Sequence, residues 1–203
     1  MLKGKVKSKK LFIWGFGIVW LFLICLGLWT LVQYENFPGT PGTPPLKWPT
    51  GTAIKPSGNI PTLILFAHPK CPCTRATINE LAQIITHCKN EVKTYVVFYK
   101  PQGYPNKWAR TDIYFKAVNI PGVIVLDDNG NEIRRFQVHT SGQSLLYDTM
   151  GQLLFSGGIT GARGENGNNI GRQTIISLLK TGKSNISKAS VFGCPLLNRK
   201  NNI

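Results

Sequence analysis

The sequence predicts an α/β domain, a mixed sheet flanked by helices, preceded by one N-terminal transmembrane helix. Three observations carry that reading. Residues 11–32 form a charge-free apolar run. Beyond it, short apolar runs of strand length alternate with stretches of helical period. The pattern closes with two strands about a tight turn and a last helix, an order that suits a mixed sheet. By composition the chain divides into a basic flank (1–10), the apolar segment (11–32), a Pro/Gly-rich linker (33–58), one globular domain (59–183) and a polar tail (184–203).

Residues 11–32, LFIWGFGIVWLFLICLGLWTLV, are long enough to span a bilayer, because a helix of that length covers about 30 Å of hydrocarbon. Trp14 and Trp29 lie near its ends, where indole rings favour the headgroup level, and Lys3, Lys5, Lys7, Lys9 and Lys10 precede it. The positive-inside rule keeps those lysines cytoplasmic and sends the C-terminal domain to the periplasmic or other extracytoplasmic side. The run exceeds the apolar region of a cleaved signal peptide and no small-x-small site follows, so an uncleaved, single-pass anchor is expected. Cys25 falls mid-span, where a small apolar residue is the simplest reading. In residues 38–51, PGTPGTPPLKWPTG, prolines remove donors and fix φ, which predicts a semi-extended spacer lifting the domain off the membrane.

Residues 62–67 (TLILFA) are a continuous apolar run that suits a strand buried on both faces. Cys71-Pro72-Cys73-Thr74 then turns the chain. Ile78, Leu81, Ala82, Ile85 and Cys88 recur at helical spacing over 75–88, with Asn79, Glu80 and Gln83 off that stripe. Residues 92–99 read as a β-branched and aromatic second strand, 108–118 as a helix, and 122–126 as a third strand ending in an Asn129-Gly130 turn. A helical turn is expected over 132–136. Strands over 143–148 and 152–156 form a hairpin, and after a glycine-rich loop at 157–171 a final helix runs over 172–180, capped by Asn168 or Asn169.

The formal net charge is +15, and from Lys47 onward 19 basic residues face 8 acidic ones, +11. The basic residues are scattered, with no finger, helix-turn-helix or RNP-like pattern, so no nucleic-acid partner is expected. An anionic membrane surface is the simpler target.

Five cysteines are present. Cys25 is in the anchor and Cys88 is on an apolar helix face, which leaves Cys71, Cys73 and Cys194 for chemistry. Cys71 and Cys73 fall where a buried strand ends and a helix begins, a position where open α/β sheets gather ligands and where first-turn N–H groups favour a thiolate. Lys70 and Arg75 add positive charge nearby. A thiolate there, that of the more exposed of the two, can attack a disulfide, and the other cysteine or Cys194 can resolve the product. A bond between cysteines at i and i+2 closes a tight ring, so an oxidised Cys71–Cys73 pair would be strained and transient. Two thiolates with His68 or His139 would also suit Cu(I) or Zn(II), which makes a copper-binding chaperone a competing reading, with a non-catalytic assembly factor on the same fold as the other. Cys194 lies in an apolar patch, VFGCPL, within a polar tail. That patch predicts a tail that folds back, with Cys194 either a longer-range disulfide partner, a third metal ligand or a structural cysteine. The loop 161–172 lacks the Gly-Lys-Ser/Thr ending of a phosphate loop, which argues against nucleotide binding.

Residues 65–76 (LFAHPKCPCTRA), after a strand and before a helix, resemble the thioredoxin-like superfamily. Residues 125–138 and 144–158 look like its peroxiredoxin and TlpA branch. The blocks CPCTRA (71–76), TSGQ (140–143), SGGITGARG (156–164) and FGCPL (192–196), in that order, are similar to membrane-anchored RedB-type proteins. The resemblance spans about residues 62–196. It implies a thioredoxin-like fold and a thiol-disulfide oxidoreductase or disulfide reductant outside the cytoplasm, acting on protein thiols or disulfides near the membrane without a cofactor. It also implies Cys71 and Cys73 as the thiol site and Ser141 and Gly142 as the loop facing it. Two features depart from the superfamily: Cys-x-Cys replaces Cys-x-x-Cys, and Gly142 stands where a cis-proline is usual, Pro121 preceding an earlier strand.

Overall fold

The computed structural model describes residues 3–197. The first two residues of the basic flank and the last six of the tail lie outside the described residues, as do the side chains of the flank's lysines. Two compact units are present, divided after Phe37.

The first unit is one helix, α1 (Lys3–Asn36). Its stretch Phe12–Asn36 is long and apolar enough to cross a membrane, and its residues are exposed. Cys25 is exposed on this helix.

The second unit holds a five-stranded sheet. In chain order its elements are β1 (Thr62–Ala67), α2 (Thr74–His87), β2 (Lys93–Tyr99), α3 (Asn106–Ala109), α4 (Asp112–Val118), β3 (Val123–Asp128), α5 (Asn131–Arg135), β4 (Ser144–Tyr147), β5 (Leu153–Gly157) and α6 (Ile170–Thr181). The strand order is β3-β2-β1-β4-β5. β1, β2 and β3 are parallel, whereas β4 runs antiparallel to both β1 and β5. This is the mixed sheet flanked by helices that the sequence predicts, in the thioredoxin-like arrangement.

β1 is central and every one of its residues is buried, as its unbroken apolar run requires. Leu63 and Leu65 pack with Ile78, Leu81 and Ile84 of α2 and Ile175 of α6 on one face. Ile64 and Phe66 pack with Ile133, Phe136 and Tyr147 on the other. Of the helices, that second face has Ile133 of the short α5 and Trp108 of the short α3, and further cover comes from outside the sheet: Ile54 from the linker, Leu196 from the tail, and Trp48, edge-on to Phe136 and Tyr147 at 5.6 and 5.0 Å.

Three sequence expectations change here. Residues 38–51 are extended but do not stand free as a spacer. Tyr147 donates to the Pro45 carbonyl at 2.9 Å, Leu153 N–H to the Leu46 carbonyl at 2.8 Å and Trp48 N–H to the Gly151 carbonyl at 2.7 Å. A proline-rich strand with few donors of its own can lie against a sheet face that needs covering, and two apolar side chains hold it there. The helix expected over 108–118 is two helices, because Thr111 takes extended backbone and its hydroxyl donates to the Pro69 carbonyl at 3.0 Å. Glu80, read as off the apolar stripe, is buried and pairs with Arg172, while also accepting from Gly167 N–H at 2.8 Å and Asn169 Nδ2 at 3.3 Å. Of the two candidate caps for α6 it is Asn169 whose side chain accepts from Arg172 N–H, at 2.8 Å.

Candidate active site: three thiols at the end of the central strand

β1 ends at Ala67, and the next six residues turn the chain into α2. Cys71 N–H donates to the His68 carbonyl at 3.1 Å and Thr74 N–H to the Cys71 carbonyl at 3.0 Å, two successive turns that carry Cys71 under the start of the helix. Cys73 occupies the N-cap position of α2. Cys71 is buried, 1 % exposed, while Cys73 and Cys194 are half-buried. All three are free thiols.

The tail brings Cys194 to this turn. Residues 187–190 run beside the edge strand, with Ser156 N–H donating to the Ser187 carbonyl at 3.0 Å and Gly158 N–H to the Ser190 carbonyl at 3.2 Å. The chain then crosses over the cysteine turn. Ser141 N–H donates to the Cys194 carbonyl at 2.8 Å, and Leu196 N–H to the His139 carbonyl at 2.9 Å, which makes an antiparallel bridge between Thr140 and Pro195. Pro195 sits at the non-hydrogen-bonded position of that bridge, where a missing N–H costs nothing.

The electrostatics separate the thiols. Burial pushes the Cys71 thiol up, but hydrogen bonds from the Cys194 thiol and N–H and from the Thr74 hydroxyl and N–H outweigh it, so its pKa lies below the ordinary thiol value. Cys73 is raised, by burial and by the nearness of Cys71, against the opposing pull of the Arg163 guanidinium. Cys194 is pushed up to about 12 by burial and by its hydrogen bond to Cys71. Cys71 is therefore the most acidic thiol of the group, with the Cys194 thiol as a hydrogen-bond donor to it. The sequence reading favoured the more exposed of Cys71 and Cys73 as nucleophile; the more exposed thiol, Cys73, is the one less able to ionise.

The expected positive neighbours are engaged elsewhere. Lys70 Nζ lies 4.6 Å from the centre of the Trp108 ring, and Arg75 pairs with Asp112. The guanidinium at the site is that of Arg163, which also donates to the Gly193 carbonyl at 2.7 Å. Arg163 and Thr74 are the site residues that sequence reasoning missed, although both lie in the blocks that carried the resemblance.

The Ser141–Gly142 loop lies against the start of α2 and the tail segment that carries Cys194. The Ser141 hydroxyl accepts from His68 N–H at 2.8 Å and pairs with the Thr74 hydroxyl at 2.9 Å, which ties the loop to the start of α2. Gly142 has φ +93° and donates its N–H to the Phe66 carbonyl at 2.8 Å. Proline can neither adopt that φ nor supply that donor, so this loop has no room for the superfamily's usual residue.

His68 and His139 do not join the thiols. The His68 ring lies among Tyr99 and Trp108, at 6.0 and 5.7 Å, and its Nδ1 accepts from Lys70 N–H at 3.2 Å. Burial, then the Lys70 charge, lowers its pKa. His139 is exposed. Among the described residues no group of three or more His, Cys, Asp or Glu side chains is arranged to hold a metal ion.

The fold has counterparts among solved structures. A hypothetical protein from Sinorhizobium meliloti is 18% identical over 77% of this chain and 96% of its own, with a TM-score of 0.60. An uncharacterized conserved protein from Geobacillus kaustophilus is 15% identical over 81% of this chain and 93% of its own, with a TM-score of 0.57. A secreted disulfide oxidoreductase from Mycobacterium tuberculosis is 16% identical over 59% of this chain and 80% of its own, with a TM-score of 0.43. No family model and no curated protein matches the sequence.

Proposed function

We propose that this protein is a membrane-anchored thiol-disulfide oxidoreductase whose domain works outside the cytoplasm, with Cys71 as the attacking thiol and Cys194 as the resolving one. The observation that carries the reading is the pairing of a lowered Cys71 with a Cys194 thiol that hydrogen-bonds it from the opposite end of the domain sequence. The Cys71 thiolate attacks one sulfur of a partner disulfide. A mixed disulfide forms and the other partner sulfur leaves as a thiolate that takes a proton from water. Cys194 then loses its proton and attacks the Cys71 sulfur, releasing the second partner thiol and leaving a Cys71–Cys194 disulfide. The partner has gained two electrons, and a dithiol protein returns them to the pair. A link across so many residues escapes the tight ring of a Cys71–Cys73 bond. The proposed role of Cys73 is to share the Arg163 charge and to hold Cys71 reactive.

The lysines in the first turns of α1, ahead of the apolar span, and the span itself support an orientation with the domain on the far side of the membrane, where thiols meet oxidants. Partners are protein thiols or disulfides near the membrane surface. The direct test is the reduced full chain in detergent treated with oxidised glutathione. Cys71 is expected to carry the glutathione adduct in Cys194→Ser, whereas wild type passes on to the internal disulfide. An absence of both products, with Cys71→Ser indistinguishable from wild type, would end the reading.

A further inference from the structure

A nucleophile that is 1 % exposed cannot meet a disulfide in another molecule, so something over Cys71 has to move. What lies over it is the segment Phe192–Pro195, strung between Val191 and Leu196, both buried. This strap follows the backbone of Thr140 and Ser141 as an added antiparallel strand, and it presents a cysteine to Cys71. That is the pose an extended substrate would take when it lays its own cysteine beside the thiolate by strand addition. Resting on the oxidoreductase reading, we infer that Gly193-Cys194-Pro195 is a tethered stand-in for the substrate: the partner is an extended, disulfide-bearing segment that displaces this strap and pairs with residues 139–141 in its place.

The fit of the strap states what such a partner needs. A Cβ on Gly193 would fall 1.9 Å from the Ser141 carbonyl oxygen, a backbone atom that cannot swing aside as a side chain can. The residue before the reacting cysteine must therefore be glycine, or the strand cannot approach closely enough for its sulfur to reach Cys71. The residue after it pairs at the non-hydrogen-bonded position, so proline is accepted there. The strap itself is lightly held. Between its two buried anchors the bonds to the domain are Ser141 N–H to the Cys194 carbonyl and Arg163 to the Gly193 carbonyl, together with the hydrogen bonds of the Cys194 thiol and N–H to Cys71. Local opening of four residues is much less costly than unfolding the tail.

The chemistry is that proposed above, with the strap displaced before the first attack and returned for the second. When Cys71 has formed its mixed disulfide, the strap re-enters, Cys194 attacks the Cys71 sulfur, and the partner leaves reduced.

The test uses the reduced full chain in detergent and the peptide Val-Phe-Gly-Cys-Pro-Leu-Leu with its cysteine capped as a mixed disulfide with thionitrobenzoate. Attack by Cys71 on the peptide sulfur releases the coloured thiolate, and the adduct on Cys71 is read by mass. Gly193→Val, which drives the strap off Ser141, is expected to raise the initial rate about tenfold or more. Arg163→Met, which keeps the fit at Gly193 but removes the bond to its carbonyl together with the charge beside Cys73 and Cys194, is expected to raise it by a smaller factor and guards against misfolding in the first variant. Cys194→Ser keeps the strand pairing, so its first step is expected to stay as slow as in wild type. In Gly193→Val, a peptide with valine before its cysteine is expected to react at least tenfold more slowly than the glycine peptide. Equal rates for wild type, Gly193→Val and Arg163→Met, or equal rates for the two peptides, would overturn the inference. So would full acceleration by Cys194→Ser alone. Failure of every variant to form a Cys71 adduct would instead count against the oxidoreductase reading itself.

Discussion

At the scale of single residues, the site works by unequal treatment of three identical groups. Cys71 is lowered although it is the most buried of the three, because four donors from Cys194 and Thr74 reach it. Cys194→Ala removes the thiol donor, so the pH at which Cys71 becomes half-reactive to iodoacetamide is expected to rise; an unchanged midpoint would mean that the Cys194 thiol does not hold the thiolate. The sign for stability follows from linkage. A thiol lowered in the folded chain stabilises it above the ordinary value of 9.0, and that contribution is lost as the pH falls through the folded value. Cys194, raised to about 12, acts oppositely: its protonated form favours the fold below the ordinary value, and this is lost as the pH climbs toward its folded value. The Cys-Pro-Cys turn and Cys194 stand out in the sequence because cysteines are few and their surroundings apolar. Arg163 does not, since a guanidinium in a glycine-rich loop gives no sign of where the loop will fold, and only its inclusion in the resembling block drew notice.

At the scale of elements, periodicity made the strands and the long helices legible, and it failed where a polar residue is buried by a partner distant in sequence. Glu80 looks solvent-facing on α2 because nothing local needs it there. Its partners, Arg172, Gly167 N–H and Asn169, arrive from the start of α6 almost a domain away. The carboxylate is nearly fully buried and Arg172 retains 20% exposure, so Glu80→Ala leaves a partly screened charge and two unmet donors. A loss of about 3 kcal/mol in denaturant unfolding is expected, at the low end for a broken buried pair. Arg172→Ala added to it should cost far less than it does alone, because the pair is already gone. The break between α3 and α4 was hidden for the same reason: the Thr111 hydroxyl answers the Pro69 carbonyl, a contact that fixes the approach to the cysteine turn and leaves no periodic trace.

At the scale of the whole molecule, the chain is an apolar helix and an α/β domain with a mixed sheet, both readable from composition and order of elements, whereas the thioredoxin-like reading of that domain came from the resembling blocks. The segments on either side of the sheet sequence were read less well. Proline and glycine marked 38–51 as extended, but composition does not say whether an extended segment is solvated or laid on a sheet; Trp48 and Ile54 were the signals that it has a face to cover. The tail was read as docking because of its apolar patch, and the register that brings Cys194 against Cys71 depends on Gly193 meeting Ser141, a fit invisible without coordinates. The account therefore stands on one long-range pairing. Mapping the disulfides of the full chain after equilibration with oxidised glutathione, by alkylation and mass spectrometry without reduction, tests it most directly. The prediction is one Cys71–Cys194 cross-link with Cys73 alkylated as a free thiol; a Cys71–Cys73 link with Cys194 free, or no link at all, would contradict it.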